Sequence, residues 1–113
     1  MTSETDPILV TLLVARELVS RRACWTQGRA ARDIRGRPVH SSSPKAVCWC
    51  GYGAVGKAET TLGVKVPRAL DYLDKAAPGG YWTTWQDKAT HPVMLDAFDR
   101  AIDARRADLA KAS

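Results

Sequence analysis

The sequence predicts a mainly α (α+β) protein: a compact four-helix domain with a short β-hairpin or ordered Arg-rich loop between helices 1 and 2. Four stretches place apolar residues at helical spacing, each with a proline in or beside its first turn. Residues 25–39 lose that spacing and carry a type I turn signal, with Asp33 at the first position and Gly36 at the fourth. With 113 residues, of which 45% are hydrophobic, the chain can form one modest core. We expect a disordered tail at residues 1–5 and a single globular domain over residues 6–113.

The first helix is predicted to begin after Asp6, which can cap it, and to end near Ala23. Pro7 stands in its first turn, where the missing N–H is not needed. A broad apolar stripe indicates that this helix packs on a core. The stripe contains Ile8, Leu12, Ala15 and Val19, widened by Leu9, Leu13 and Leu18.

The central helix is predicted over residues 44–58, with Ser43 as its cap and Pro44 at its first position. One face of this helix consists almost entirely of small residues. That face contains Val47, Cys50, Gly51, Ala54 and Ala58. Each interior glycine costs about 1 kcal/mol relative to alanine, so we expect close packing against a neighbouring helix or chain to offset that cost. The neighbour could be a second copy of the chain, so a homo-oligomer is an alternative.

The three glycines of this stretch also spell G-x-G-x-x-G, at Gly51, Gly53 and Gly56. This pattern binds dinucleotides only within a βαβ unit. Because the sequence offers no second strand for such a unit, we interpret the glycines as packing residues.

The rest of the chain alternates short links with two more helices. Residues 60–66 are predicted to form an extended link, and Pro67 is expected to open a third helix that ends at residues 78–80 (Pro-Gly-Gly). Residues 81–87 are aromatic and β-prone, which favours one short strand. Thr90 or His91 is expected to cap the last helix, with Pro92 in its first turn.

Positive charge is concentrated in one quarter of the chain. The net charge is +5, and residues 21–45 contain seven basic residues and one acidic residue, whereas the remainder contains ten basic and eleven acidic residues. A localised excess of this kind indicates an anionic partner.

We predict that an Arg-rich loop binds this partner. Arginine contacts phosphates and carboxylates in bidentate fashion, and tryptophan faces can stack on bases. The predicted partner-binding residues are Arg29, Arg32, Arg35, Arg37, Gln27, Trp25, Trp85 and Asp87. The simpler alternatives are that the arginines are only solvated and that the tryptophans form the core. We expect any site to lie between residues 25–39 and 82–87, with residues 48–54 as its floor.

The cysteines and the N-terminus indicate the compartment. The number of cysteines is odd, and Cys48 and Cys50 are too close in a helix for a disulfide, so we expect free thiols. Free thiols are typical of the cytoplasm, which would be the host cytoplasm if a phage encodes the chain. No basic residue precedes Arg16, and no 18-residue apolar stretch occurs, so we expect neither a secretory signal nor a membrane span.

Metal binding and cysteine catalysis are two further hypotheses. Cys24, His40, Cys48 and Cys50 could supply four zinc ligands, but two thiols in a helical Cys-x-Cys point about 200° apart, so no metal or other cofactor is expected. Cys50 could instead be a nucleophile, with His91 or His40 as its base and Asp87 as the orienting group. Its position two turns into the predicted helix argues against a lowered thiol pKa.

A set of ordered motifs resembles a known family. These motifs are Trp25-Thr26-Gln27-Gly28, Ala31-Arg32-Asp33, Gly36-Arg37-Pro38-Val39, Cys48-Trp49-Cys50 with Gly53-Ala54, Trp85-Gln86-Asp87 and Arg100-Ala101-Ile102. Together they resemble a family of small uncharacterised proteins found in actinobacteria and bacteriophages, although that family more often has Asn where this chain has Gln86. The resemblance implies a mostly helical fold and a bacterial or phage origin, and it implies no activity.

The function we expect is that of a non-enzymatic binding protein of phage or bacterial origin. Its Arg-rich loop would engage an anionic macromolecule, either an acidic protein surface of the host or a nucleic acid. For a phage-encoded chain, an accessory role such as antagonising a host defence component is a further hypothesis, which rests on association with neighbouring phage genes alone. The alternatives are a small nucleotide-binding or nucleotide-processing protein and a cysteine-dependent hydrolase.

Overall fold

The computed structural model describes residues 6–112 of the chain. These residues contain five α-helices and a three-stranded antiparallel sheet. The mainly α (α+β) class is thereby confirmed, and the predicted tail at residues 1–5 lies outside the described residues. In chain order the elements are α1 (Pro7–Leu18), a 3-10 turn (Arg22–Cys24), β1 (Ala31–Arg32), β2 (Pro38–Val39), β3 (Cys48–Trp49), α2 (Gly51–Leu62), α3 (Arg68–Ala76), α4 (Trp82–Gln86) and α5 (His91–Ala112).

The first helix begins as predicted. The Asp6 carboxylate accepts a hydrogen bond from the Leu9 amide at 2.8 Å, which satisfies one of the free donors of the first turn. The helix ends at Leu18, earlier than predicted, and the chain then turns through the short 3-10 segment.

The predicted hairpin is present and gains a third strand. β1 lies at the centre of the sheet, with Ala31 opposite Val39 of β2 and opposite Trp49 of β3, both pairings antiparallel. The predicted turn closes where the Gly36 amide donates to the Asp33 carbonyl at 2.9 Å. Gly36 has a φ of +80°, which glycine adopts without strain.

The predicted start of the central helix was wrong. Residues 48 and 49 pair with β1 as a strand, and α2 begins only at Gly51. Cys50 caps the helix, because its sulfur accepts a hydrogen bond from the Gly53 amide at 3.3 Å. The helix also runs further than predicted, to Leu62, so the first half of the expected link at residues 60–66 is helical. Gly63 ends it in the left-handed conformation at φ +68°.

The glycines of α2 allow close packing, as predicted. A Cβ at Gly51 would lie 2.6 Å from the Trp82 ring, and a Cβ at Gly53 would overlap the carbonyl oxygen of Ala30, the residue before β1. The helix therefore touches both α4 and the base of the hairpin through backbone that carries no side chain.

The predicted strand at residues 81–87 was also wrong, because this segment forms α4. Asp74 accepts a hydrogen bond from the Trp82 amide at 2.9 Å and so holds the start of the helix. The Trp82 ring is fully buried and packs edge-on against Phe98 at 5.0 Å. The third and last helices begin next to Pro67 and at His91, as predicted, so the described residues contain five α-helices rather than four.

A polar network connects the two ends of the described chain. Arg105 of α5 donates to both oxygens of Asp6 at 2.7 and 2.9 Å, and both side chains are mostly buried. The same guanidinium donates to the Tyr72 hydroxyl at 3.0 Å. The hydrogen bond from Arg105 is the main reason that the pKa of Asp6 lies below its usual value. This network fixes α1 against α3 and α5.

Candidate functional site: the Arg-rich loop

Asp33 organises the turn of the Arg-rich loop (residues 29–37). Its Oδ1 accepts hydrogen bonds from the amides of Arg35 and Arg37, both at 2.9 Å, and its Oδ2 accepts one from the Arg37 Nε at 3.1 Å. The amide of Arg37 is the largest of the causes that lower the pKa of the Asp33 carboxyl. Only 7% of Asp33 is exposed, so the single acidic residue of the loop is withdrawn from the surface.

Arg32 supports the loop from inside. Its guanidinium donates to the Thr26 hydroxyl at 2.9 Å, to the Gly36 carbonyl at 3.0 Å and to the Gln27 carbonyl at 3.3 Å. These bonds tie the turn to the segment that precedes β1. Because three of its donors are already used, Arg32 has less capacity for a partner than its neighbours.

The other three arginines of the loop face solvent. Arg29 and Arg35 are exposed, and the guanidinium group of neither forms a hydrogen bond or ion pair with any residue between 6 and 112. Arg37 keeps 64% of its side chain exposed although it pairs with Asp33. The turn thus presents cationic groups with no accessible carboxylate in the loop to neutralise them.

Gln27 and Asp87 hold the base of the loop. The Gln27 amide group donates to the Ala89 carbonyl at 2.8 Å and to the Gln86 carbonyl at 3.4 Å, and Asp87 accepts a hydrogen bond from the Gly28 amide at 2.6 Å. These contacts fasten the loop to the junction between α4 and α5. The structure therefore gives both predicted site residues a supporting position.

The two predicted tryptophans are half-buried and lie apart from the turn. Trp25 packs on the His91 ring at 5.2 Å and forms an isolated bridge with Trp49. Trp85 lies beside the buried Trp82, with ring centroids 6.0 Å apart. Both residues keep part of their surface in solvent. The predicted binding role of the eight residues stays a prediction.

A small cavity lies where the sequence predicted a site. It is about 170 Å³ in volume, and residues from all three predicted segments line it, among them Gly28 and Arg29, Cys50 and Tyr52, and Thr83 and Asp87. This volume is below the roughly 300 Å³ at which pockets for drug-sized ligands begin. The cavity therefore suits a side chain or a few atoms better than a nucleotide.

Cys50, which lines this cavity, forms no hydrogen bond with a histidine among the described residues. The residue is 4% exposed, and burial raises the pKa of the Cys50 thiol. The His91 Nε2 donates to the Val19 carbonyl at 2.7 Å, and the His40 Nδ1 contacts the Ser42 hydroxyl at 2.7 Å. The predicted position of Cys50 two turns into a helix was wrong, since Cys50 is the N-cap of α2. Burial, and not distance from the helix start, keeps the thiol neutral.

The described residues contain neither a cluster of metal ligands nor a helix that could span a membrane. Between residues 6 and 112, no three or more histidine, cysteine, aspartate or glutamate side chains lie together as metal ligands. None of the described helices combines the length and hydropathy that a membrane span requires.

The sequence did not reveal which arginines are structural or that Ile34 is exposed. Asp33 followed by Gly36 predicted the turn, but the burial of Asp33 depends on β2 and β3 pairing on both sides of β1. Arg32 can donate to Thr26 and Gln27 because distant contacts hold both residues. The Thr26 amide donates to the Trp49 carbonyl of β3, and Gln27 bonds to the junction between α4 and α5.

These features define a small mainly α domain that presents a basic β-hairpin. A family model described as a family of unknown function (DUF6197) matches residues 3–104, and the chain belongs to that family. The expectation that the chain belongs to an uncharacterised family is thereby confirmed. No curated protein and no solved structure matches the chain.

Proposed function

We propose that this chain is a non-enzymatic binding protein that engages an anionic partner through Arg29, Arg35 and Arg37 of the Arg-rich loop. The observation that supports this proposal is the internal hydrogen bonding of the turn by Asp33 and Arg32, which leaves the other guanidinium groups in solvent. A loop that is already ordered loses little conformational entropy when it binds.

The chemistry of the exposed side chains suits carboxylates or phosphates. Each free guanidinium offers paired N–H donors to two oxygens of one anion. Several such groups on one turn fit a macromolecular surface better than a single small ligand. An acidic protein surface and a nucleic acid both meet this description.

The proposed origin and biological setting rest on the resemblance of the sequence motifs. Binding by a phage accessory protein, such as one that blocks a host defence component, is one form this function would take. The genes that neighbour this one test that setting, since phage structural or lysis genes would support it and housekeeping genes would contradict it.

The test of the function compares two charge-matched double variants. Arg29→Gln/Arg35→Gln removes two free guanidinium groups of the loop, whereas Arg68→Gln/Arg106→Gln removes two exposed ones from α3 and α5. Arg32 is left intact because its loss would disturb the turn. Each protein is titrated with duplex DNA, single-stranded RNA and polyglutamate over a series of salt concentrations.

The proposal predicts that the wild type binds at least one of these probes and that binding weakens as salt rises. The Arg29→Gln/Arg35→Gln variant loses affinity. With nucleic acid, the logarithm of its binding constant should also depend less steeply on the logarithm of the salt concentration, with a slope smaller in magnitude by about 2. The α3/α5 variant behaves as the wild type. Equal affinity of the two double variants for every probe would refute the function.

A further inference from the structure

The tip of the hairpin carries an exposed isoleucine among its arginines. Ile34 is 85% exposed, the highest value among the large hydrophobic side chains of residues 6–112. It occupies the second position of a turn that Asp33 and Gly36 close, a position that makes no demand for a branched apolar side chain. Single exposed apolar residues are common, so the surroundings of Ile34 decide its meaning.

A second exposed apolar residue stands at the same end of the sheet. The Val47 amide donates to the Arg32 carbonyl, and the Asp33 amide donates to the Arg37 carbonyl, both at 2.9 Å. These bonds place Asp33 between Arg37 and Val47, on strands about 4.8 Å apart. Val47 is 42% exposed. The hairpin-tip surface therefore comprises Ile34, Val47, Arg35 and Arg37, all of them exposed.

This surface is apolar at two points and cationic elsewhere. Between residues 29 and 47 the sequence has one acidic residue, Asp33, and that carboxylate is buried and paired. The combination of aliphatic and arginine side chains resembles the centre and rim of a protein interface, where arginine is enriched. A phosphodiester backbone would use the cations and would leave Ile34 in solvent.

We infer that the partner is a protein whose acidic surface surrounds an apolar pocket that receives Ile34. This inference rests on the proposed function, because it assigns the arginines to the acidic rim. The arginines steer the encounter and set the register, and burial of Ile34 and Val47 supplies apolar contact at the centre. Charge complementarity with the uncompensated cations is the reason for the acidic rim.

The experiment places a photo-crosslinking residue in this protein, which is expressed in the cells where it occurs naturally. Position 34 receives p-benzoylphenylalanine, and Thr61, an exposed residue of α2, receives it in the control protein. We expect a protein adduct from position 34 and none from position 61. Adducts with nucleic acid at position 34, or no adduct above the control, would overturn the inference.

The crosslinked protein is then purified and titrated with variants of this chain. Full burial of an isoleucine corresponds to a factor of about 10 to 100 in affinity, so we expect Ile34→Ser to weaken binding at least about tenfold. Val93→Ser removes an aliphatic side chain that is 46% exposed on α5 and should leave the affinity unchanged. Thermal melts of both variants check that the fold is intact.

Arg35→Gln separates the inference from the proposed function. If Arg35→Gln weakens binding and Ile34→Ser does not, the arginines bind the partner and the apolar pocket is refuted. If neither change weakens binding, both proposals fail. Binding of phosphatidylglycerol vesicles that depends on Ile34 would also overturn the inference, since a membrane would then be the occupant.

Discussion

Gly53→Ala adds one methyl group where α2 passes closest to the segment that carries the Arg-rich loop. The new Cβ would lie 2.7 Å from the carbonyl carbon of Ala30 and would overlap its oxygen. Both atoms belong to the backbone, so no side-chain rotation can relieve the contact. The strand entry must move, and the hydrogen bond from the Cys50 amide to the Ala30 carbonyl, 3.1 Å long, must lengthen.

The expected effect is a net loss of stability. Alanine is favoured over glycine inside a helix by about 1 kcal/mol. Overpacking opposes this with about 1–3 kcal/mol, and a weakened backbone hydrogen bond removes about 1 kcal/mol more. The free energy of unfolding should fall by about 2 kcal/mol, which lowers the melting temperature by roughly 10 °C in a protein of this size.

Gly56→Ala is the matched control in the same helix. Its Cβ would lie 3.1 Å from the Ser41 hydroxyl oxygen, at the end of a side chain that can rotate away. The gain in helix propensity should then be retained, so Gly56→Ala should melt at or above the wild-type temperature. Both variants are measured by circular dichroism on heating and by urea unfolding. A Gly53→Ala protein as stable as Gly56→Ala would refute the packing argument.

Three further predictions concern groups that the fold buries. The pKa of Asp6 is lowered mainly by Arg105, so the ionised carboxylate stabilises the fold. That stabilisation is complete above the unfolded pKa of about 3.9 and is lost as the pH falls through the folded pKa. Asp6→Asn should therefore lower the free energy of unfolding at pH 7 by about 2 kcal/mol and should make that free energy fall less steeply in acid. Gln86→Leu leaves the Gly51 amide without its acceptor, which lies 2.9 Å away, and should cost about 1–3 kcal/mol in urea unfolding. Burial and a raised pKa should make Cys50 the slowest of the three cysteines to react with iodoacetamide, as measured by peptide mass spectrometry.

Each of these predictions has a contradicting outcome. A parallel acid-unfolding curve for Asp6→Asn would show that the ion pair adds no pH dependence. Thr84→Val on the exposed side of α4 is the control for Gln86→Leu. Equal stability of the two variants would show that the hydrogen bond from the Gly51 amide to Gln86 does not stabilise the fold. Labelling of Cys50 at the rate of Cys24 would show an accessible thiol and would revive the hydrolase hypothesis.

Local signals in the sequence were sufficient for several elements. Asp6 before Pro7 predicted the start of α1, and Pro92 marked the start of α5, because caps and first-turn prolines act within a few residues. The turn between Asp33 and Gly36 followed from the same kind of short-range chemistry. The Arg-rich loop was recognisable because charge density needs no knowledge of the fold.

Elements decided by distant contacts could not be predicted. Ser43 and Pro44 gave a strong local start signal, but pairing of Cys48 with β1 delayed the helix to Gly51. The segment of α4 has β-prone residues, and it is helical because Asp74 holds its first turn and Trp82 fills the core. The division of the arginines into Arg32 inside the turn and its exposed neighbours likewise depends on tertiary contacts.

The most direct test of the account compares the affinities of the two charge-matched double variants for the protein crosslinked from position 34. Both variants have the same net charge, so only the location of the missing arginines differs. We predict that Arg29→Gln/Arg35→Gln weakens binding while Arg68→Gln/Arg106→Gln leaves it at the wild-type value, with the difference shrinking as salt rises. Equal losses in both variants, or a larger loss from α3 and α5, would contradict the assignment of the binding surface to the Arg-rich loop.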